Sequence, residues 1–131
     1  MKKIKDLTKR IIVFRDAREW KQFHNPKDLL LGIVEEVGEL RNIIKWEQHP
    51  RKIHKILAKN KSEVQDNIGD LYWFLAIIAN HAGIDIDEAI DEVIKSNEKR
   101  FPVDKSKSPT NNQSLLNYSV KLSTNKPHLK K

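Results

Sequence analysis

Residues 29–44 read LLLGIVEEVGELRNII, and the periodicity of that stretch decides the fold. Leu30, Ile33, Val37, Leu40 and Ile44 recur at the spacing of an α-helix that buries one stripe. The same stretch carries Glu35, Glu36 and Glu39. At about 100° per residue, Glu36 falls among Leu29, Leu40 and Ile43 rather than opposite the apolar stripe. Glu39 sits at the edge of the same arc, one turn on. A carboxylate facing a core needs a cation or a hydrogen-bond partner, because desolvating a bare charge is costly.

Working outward, Asn25-Pro26 opens this helix, since proline suits the first turn, and His49-Pro50 ends it after Trp46. A preceding helix is expected from about Ile4 to Phe23, with Ile11, Ile12, Phe14 and Trp20 among its apolar residues. Residues 51–61 read as a basic, partly helical connection. Ser62 with Gln65 fits a capping box that opens a third helix running to about His81, with Gly83 as its stop. Asp85 with Glu88 fits another, opening a fourth helix to about Arg100 that Pro102 closes. There is no internal repeat and no strand-rich region. The expected fold is all-α, a four-helix bundle.

The third helix repeats the acidic oddity. Glu63, Asn67, Asp70, Phe74 and Ile77 share one face, with Asp66 beside them. Packed antiparallel, the two helices bring Glu36, Glu39, Asn67 and Asp70 to one pocket. An all-oxygen set without His or Cys suits a hard cation, Mg²⁺ or Mn²⁺, rather than zinc. Each motif alone is weak, because most acidic pairs at helical spacing are ordinary surface charge. Their inward placement is what raises the metal reading. His49, His54, His81 and His128 share no ligand spacing, and His24 reads as a capping or packing residue.

The 131-residue chain suffices for one domain with a core, placed at residues 1–102. No apolar run approaches the roughly 20 residues of a membrane span, and Met1–Arg10 lacks the apolar core of a signal peptide. Zero cysteines exclude disulfides and thiolate metal sites, which is compatible with the expected cytoplasmic location. The net charge of +7 suggests a nucleic-acid partner, but its distribution argues otherwise. Six lysines against Asp104 give residues 103–131 a charge of +5, leaving +2 for residues 1–102. That segment, rich in Ser, Thr, Asn, Lys and Pro, is expected to be a disordered basic tail. Ser114–Leu122 is its one stretch suited to packing locally or on a neighbouring subunit.

Several motifs together resemble a known family. Phe14 to His24, continuing through Pro26 and Leu29-Leu30-Leu31, resembles the N-terminal helices of the dCTP pyrophosphatases, within the MazG-like all-α nucleoside triphosphate pyrophosphohydrolases. Glu36-Val37-Gly38-Glu39-Leu40 resembles that family's ExxE motif. Gly69-Asp70-Leu71 with Leu75 is similar to the end of its ExxD motif, and Asn97, Arg100, Phe101 and Pro102 to its closing signature. The likeness spans Phe14 to Pro102. It implies Mg²⁺-dependent hydrolysis between the α- and β-phosphates of a nucleoside triphosphate, giving the monophosphate and pyrophosphate, with a pyrimidine deoxynucleotide such as dCTP as first-choice substrate. Glu36, Glu39 and Asp70 would hold Mg²⁺ with Asn67 and Asp66, and Glu39 would be the general base. Trp20, Trp46 and Phe74 would enclose the base, while Asn97 and Arg100, on one face of the fourth helix with Val93, would meet phosphate. Lys95 lies off that face. Members are dimers or tetramers, so at least a homodimer is expected.

One departure matters. The family's ExxD would place glutamate at position 67, where this chain has Asn67. An amide oxygen still coordinates a metal but brings no charge. Asp66 and Glu63 are the nearby candidates to compensate, and Glu63 to Asp66 itself spells ExxD. Two further classes therefore stand beside the enzyme: a non-catalytic nucleotide binder or sensor, and a nucleic-acid module using the lysine-rich tail. For Trp20 and Trp46 the plain alternative is core packing.

Overall fold

The computed structural model describes residues 3–106, so the expectations for the tail from residue 107 onward lie outside the described residues. The described chain is helical throughout and contains no strand. It divides into two units, one ending at Asp91 and one beginning at Glu92.

The first unit holds α1 (Ile4–Ala17), a 3₁₀ turn (Trp20–Phe23), α2 (Pro26–Ile44), α3 (Pro50–Lys59), α4 (Lys61–His81) and the start of α5 (Ile86–Arg100). Each end has a local cause. The helix expected to reach Phe23 stops at Ala17, because Glu19 takes a left-handed conformation (φ 55°) that turns the chain into the 3₁₀ segment. At the start of α2 the Asn25 side chain accepts the Asp28 N–H at 2.9 Å and donates to its carboxylate at 2.6 Å, with Pro26 in the first turn.

The basic connection is a complete helix, α3. Its apolar residues Ile53, Ile56 and Leu57 are half-buried, while Arg51, Lys52, Lys55 and Lys59 are exposed. A ten-residue helix is marginal alone, so α3 depends on packing against α2 and α4. The Ser62 capping box does not form, because α4 begins at Lys61 and Ser62 lies inside it. Asn60 precedes α4 and donates backward to the Ile56 carbonyl at 2.8 Å, closing α3 instead. Gly83 (φ 65°) ends α4, with Ile84 N–H bonded to the Ala79 carbonyl and Gly83 N–H to that of Asn80. Asp85 caps α5 by accepting the N–H groups of Asp87 and Glu88.

Within this unit α4 is the hub, with α2 and α1 packed along it. Contacts pair Gly32 of α2 with Phe74 of α4, and Glu36 and Glu39 with Asn67. The later residues of one helix meet the earlier residues of the other, so the pair is antiparallel. At Gly32 the Phe74 ring lies against the α2 backbone: a Cβ there would lie 2.7 Å from it. Leu29, Ala76, Ile77 and Ala79 are buried. On the α1 side, Phe14 meets Trp73 edge-on at 5.2 Å and Trp20 at 5.7 Å. Such pairs add about 0.5–1.5 kcal/mol each beyond their buried area.

The second unit comprises α5 from Glu92 onward and α6 (Val103–Ser106) among the described residues. Basic residues Lys99 and Arg100 sit in the last turn of α5, where they complement the helix dipole. No described helix is long and apolar enough to cross a membrane.

Candidate functional site

The α2–α4 seam carries the acidic site, and both helices project it by simple spacing. Glu36 and Glu39 are three residues apart on α2 and therefore lean the same way. Across the seam stands Asn67, 4% exposed. Its Nδ2 donates to Glu36 Oε2 at 2.8 Å and to Glu39 Oε2 at 2.7 Å, so two carboxylate oxygens converge on one nitrogen. Its Oδ1 is buried without a hydrogen-bond partner.

Asp70 lies one turn beyond Asn67 on the same face and is exposed, as are Asp66 and Glu63. Among the described residues no three acidic, His or Cys side chains form a group able to hold a metal. The acidic centre of this seam is a pair of carboxylates with an amide between them. On its open side is a hollow of about 320 Å³ lined by Glu39, Asn42, Ile43, Asn60 and Glu63. A larger hollow of about 890 Å³ runs along α1 and α4, walled by Leu7, Phe14, Tyr72 and Trp73 among others. It is mainly apolar and includes neither Glu36 nor Glu39, whereas the smaller hollow is bordered by Glu39.

Asn42 and Asn60 were not singled out from the sequence. Asn42 had a signal, since it stands three residues past Glu39. Asn60 had none, because its position depends on α3 being a helix.

The aromatic candidates divide. Trp46 stands just past α2, 85% exposed, with Lys45 Nζ 5.1 Å from its ring centre. Core packing does not account for it. Trp20 is 40% exposed, stacked edge-on against Phe14, with the His24 ring at 6.3 Å. The Arg18 guanidinium lies 3.4 Å above the Phe14 ring. Phe74 is half-buried against Gly32. Beneath this corner Arg15 is buried, held to Asp16 at 2.8 Å. Burial, then the charge of Arg15 and the proximity of His81, holds the His24 imidazole below its ordinary pKa of 6.5, favouring the neutral ring. In the second unit Asn97 and Arg100 are half-buried on α5, and the Arg100 guanidinium lies 5.3 Å from the Phe101 ring centre.

The MazG-like family profile matches residues 36–114, more than half of the chain. The chain belongs to the MazG-like family. Its fold is similar to that of a pyrophosphatase from Archaeoglobus fulgidus, with a TM-score of 0.67 and 32% identity, covering 74% of this chain and 90% of the other. The dCTP pyrophosphatase 1 of Mus musculus is 29% identical over 101 residues, 76% of this chain, and that of Homo sapiens 27% over 100 residues. Each match takes in 59% of the relative's length, so this MazG-like chain spans about three-fifths of those proteins.

Proposed function

We propose that the chain is a nucleoside triphosphate pyrophosphohydrolase, cleaving between the α- and β-phosphates to release a nucleoside monophosphate and pyrophosphate. The observation that carries this reading is the convergence of Glu36 and Glu39 on Asn67 across the α2–α4 seam. Two carboxylates brought to one nitrogen, Glu36 half-buried and Glu39 exposed, repel when charged unless something positive lies between them. Oxygen donors alone, with an orphaned amide oxygen beside them, fit a hard divalent cation. Glu36, Glu39 and Asn67 would hold Mg²⁺ or Mn²⁺, with Asp70 and Asp66 nearby on α4. When bound, the ion supplies charge neutralisation for the phosphates and lowers the pKa of the attacking water.

The chain's own residues do the rest. Glu39 borders the hollow that a triphosphate would enter and is the proposed general base. Trp46, Trp20 and Phe74 offer aromatic faces to a base, whose polar edges then select among nucleotides. A pyrimidine deoxynucleotide such as dCTP is the proposed substrate, supported by the named mouse and human relatives. Asn97 and Arg100 are proposed for phosphate, since a guanidinium bonds two oxygens at once. The working location is cytoplasmic and the working form at least a homodimer.

A pyrophosphate-release assay across the nucleotides, at generous Mg²⁺ or Mn²⁺, tests this. Release with a pyrimidine deoxynucleotide is expected, and Glu39→Gln should lower kcat by about 10²–10⁴-fold. No pyrophosphate from any nucleotide would remove the enzyme. Asn67 favours a second reading, a nucleotide binder without turnover. There calorimetry would show binding alone, and Asn67→Glu would create activity.

A further inference from the structure

We infer that Asn67 is a resident substitute for the cation: its amide nitrogen ties Glu36 to Glu39 in the metal-free protein, and the amide turns over to present Oδ1 when a divalent ion enters. This rests on reading Glu36 and Glu39 as cation-holding residues. The amide carries two N–H donors, and its nitrogen reaches one oxygen of each carboxylate at 2.8 and 2.7 Å. Both distances are ordinary N–H···O hydrogen-bond lengths. The arrangement leaves Oδ1 buried and without a partner, something folded proteins rarely tolerate without a reason.

Charge supplies the reason. With the seam metal-free, turning the amide around would set three oxygens against one another, so nitrogen must face the carboxylates. A hard cation reverses that preference, because three converging oxygens are what it requires. The amide is nearly symmetric in shape, so a half-turn of the side chain exchanges the two states with the helices in place. The orphaned oxygen is thus a ligand held in reserve. A glutamate at position 67 would have no such alternative, since a third carboxylate finds no donor between Glu36 and Glu39.

Wild type should therefore bind the cation more weakly than a variant with a carboxylate here, and should be the more stable of the two without it. Asn67→Asp, which keeps the side chain's size, provides the test in the full-length protein. In EDTA it should melt below wild type. With saturating Mn²⁺ the gap should close or invert, and Mn²⁺ titrated by electron paramagnetic resonance should bind about tenfold or more tightly. In wild type the Asn67 side-chain NH₂ pair, identified by its loss in the variant, should shift in ¹⁵N spectra when Mg²⁺ is added.

If wild type binds Mn²⁺ while that NH₂ pair stays unmoved, the amide does not turn over and the inference fails alone. Equal Mn²⁺ affinity and equal melting in EDTA for the two proteins would also overturn it. If neither protein binds Mn²⁺, the inference falls together with the cation reading beneath it. The spectral arm reads wild type, where the NH₂ pair can also be assigned by through-bond correlation to the Asn67 β-protons, so it decides the question even where Asn67→Asp folds poorly.

Discussion

Trp46 shows how a single residue separates packing from recognition. A tryptophan that is 85% exposed contributes little to a core, yet one face stacked on a base is worth about 1–3 kcal/mol. Trp46→Ala is therefore expected to leave the melting temperature nearly unchanged and to raise KM for the nucleotide. Its emission should shift to the blue when nucleotide covers it, which fluorescence titration reads directly. His24 makes the opposite case, a residue whose surroundings matter more than its reach. Burial and Arg15 lower the pKa of its imidazole in the folded chain, whereas the unfolded chain protonates it near 6.5. The unfolded state thus binds the extra proton first as pH falls. The stability His24 contributes is complete above pH 6.5 and is lost as pH drops through its lowered folded value. Melting temperatures between pH 7.5 and 5 should fall more steeply for wild type than for His24→Gln.

Among the elements, the α2–α4 pair is the most sharply constrained. Gly32→Ala would gain about 1 kcal/mol of helix propensity. Its new methyl would meet the Phe74 ring at 2.7 Å, and overpacking typically costs about 1–3 kcal/mol. The collision should win, lowering stability by about 1 kcal/mol in urea unfolding. A double-mutant cycle with Phe74→Leu should show coupling between the two positions. This seam was legible in the sequence because Glu36 and Asn67 fall on apolar arcs with Glu39 at the edge, and a polar residue on such an arc needs a partner; the expected stripe is only partly buried, since Leu30 and Val37 are exposed. Pro26, Gly83 and Asp85 likewise named their helix ends through their own chemistry. Two features resisted. The apolar residues of α3 are outnumbered by Arg51, Lys52, His54, Lys55 and Lys59, so only packing against α2 and α4 makes it a helix. The break after α1 rests on Glu19 adopting a left-handed backbone, which its residue type does not announce. Spacing anticipates the meeting of Glu36, Glu39 and Asn67, but Asp70, expected with them, is exposed and takes no part in those hydrogen bonds, and the orphaned oxygen depends on side-chain orientation that no spacing encodes.

At the scale of the whole molecule, the buried apolar residues of the described chain are few: Leu29, Ala76, Ile77 and Ala79. Meanwhile Leu30, Val34 and Val37 on α2, and Ile68, Tyr72 and Leu75 on α4, repeat at helical spacing and remain exposed. Exposed apolar stripes of that kind mark surfaces suited to a partner, and a second copy of the chain is the partner proposed above. Sedimentation is expected to give a mass at least double the 15.3 kDa of one chain. Val34→Glu, at a position 66% exposed, should reduce that mass. A chain that completes its core with a neighbour has no fixed melting point of its own, because folding and association then share one equilibrium. For such a protein dilution acts as a denaturant: its melting temperature should climb with protein concentration, and the scarcest copies in a solution should be the first to unravel.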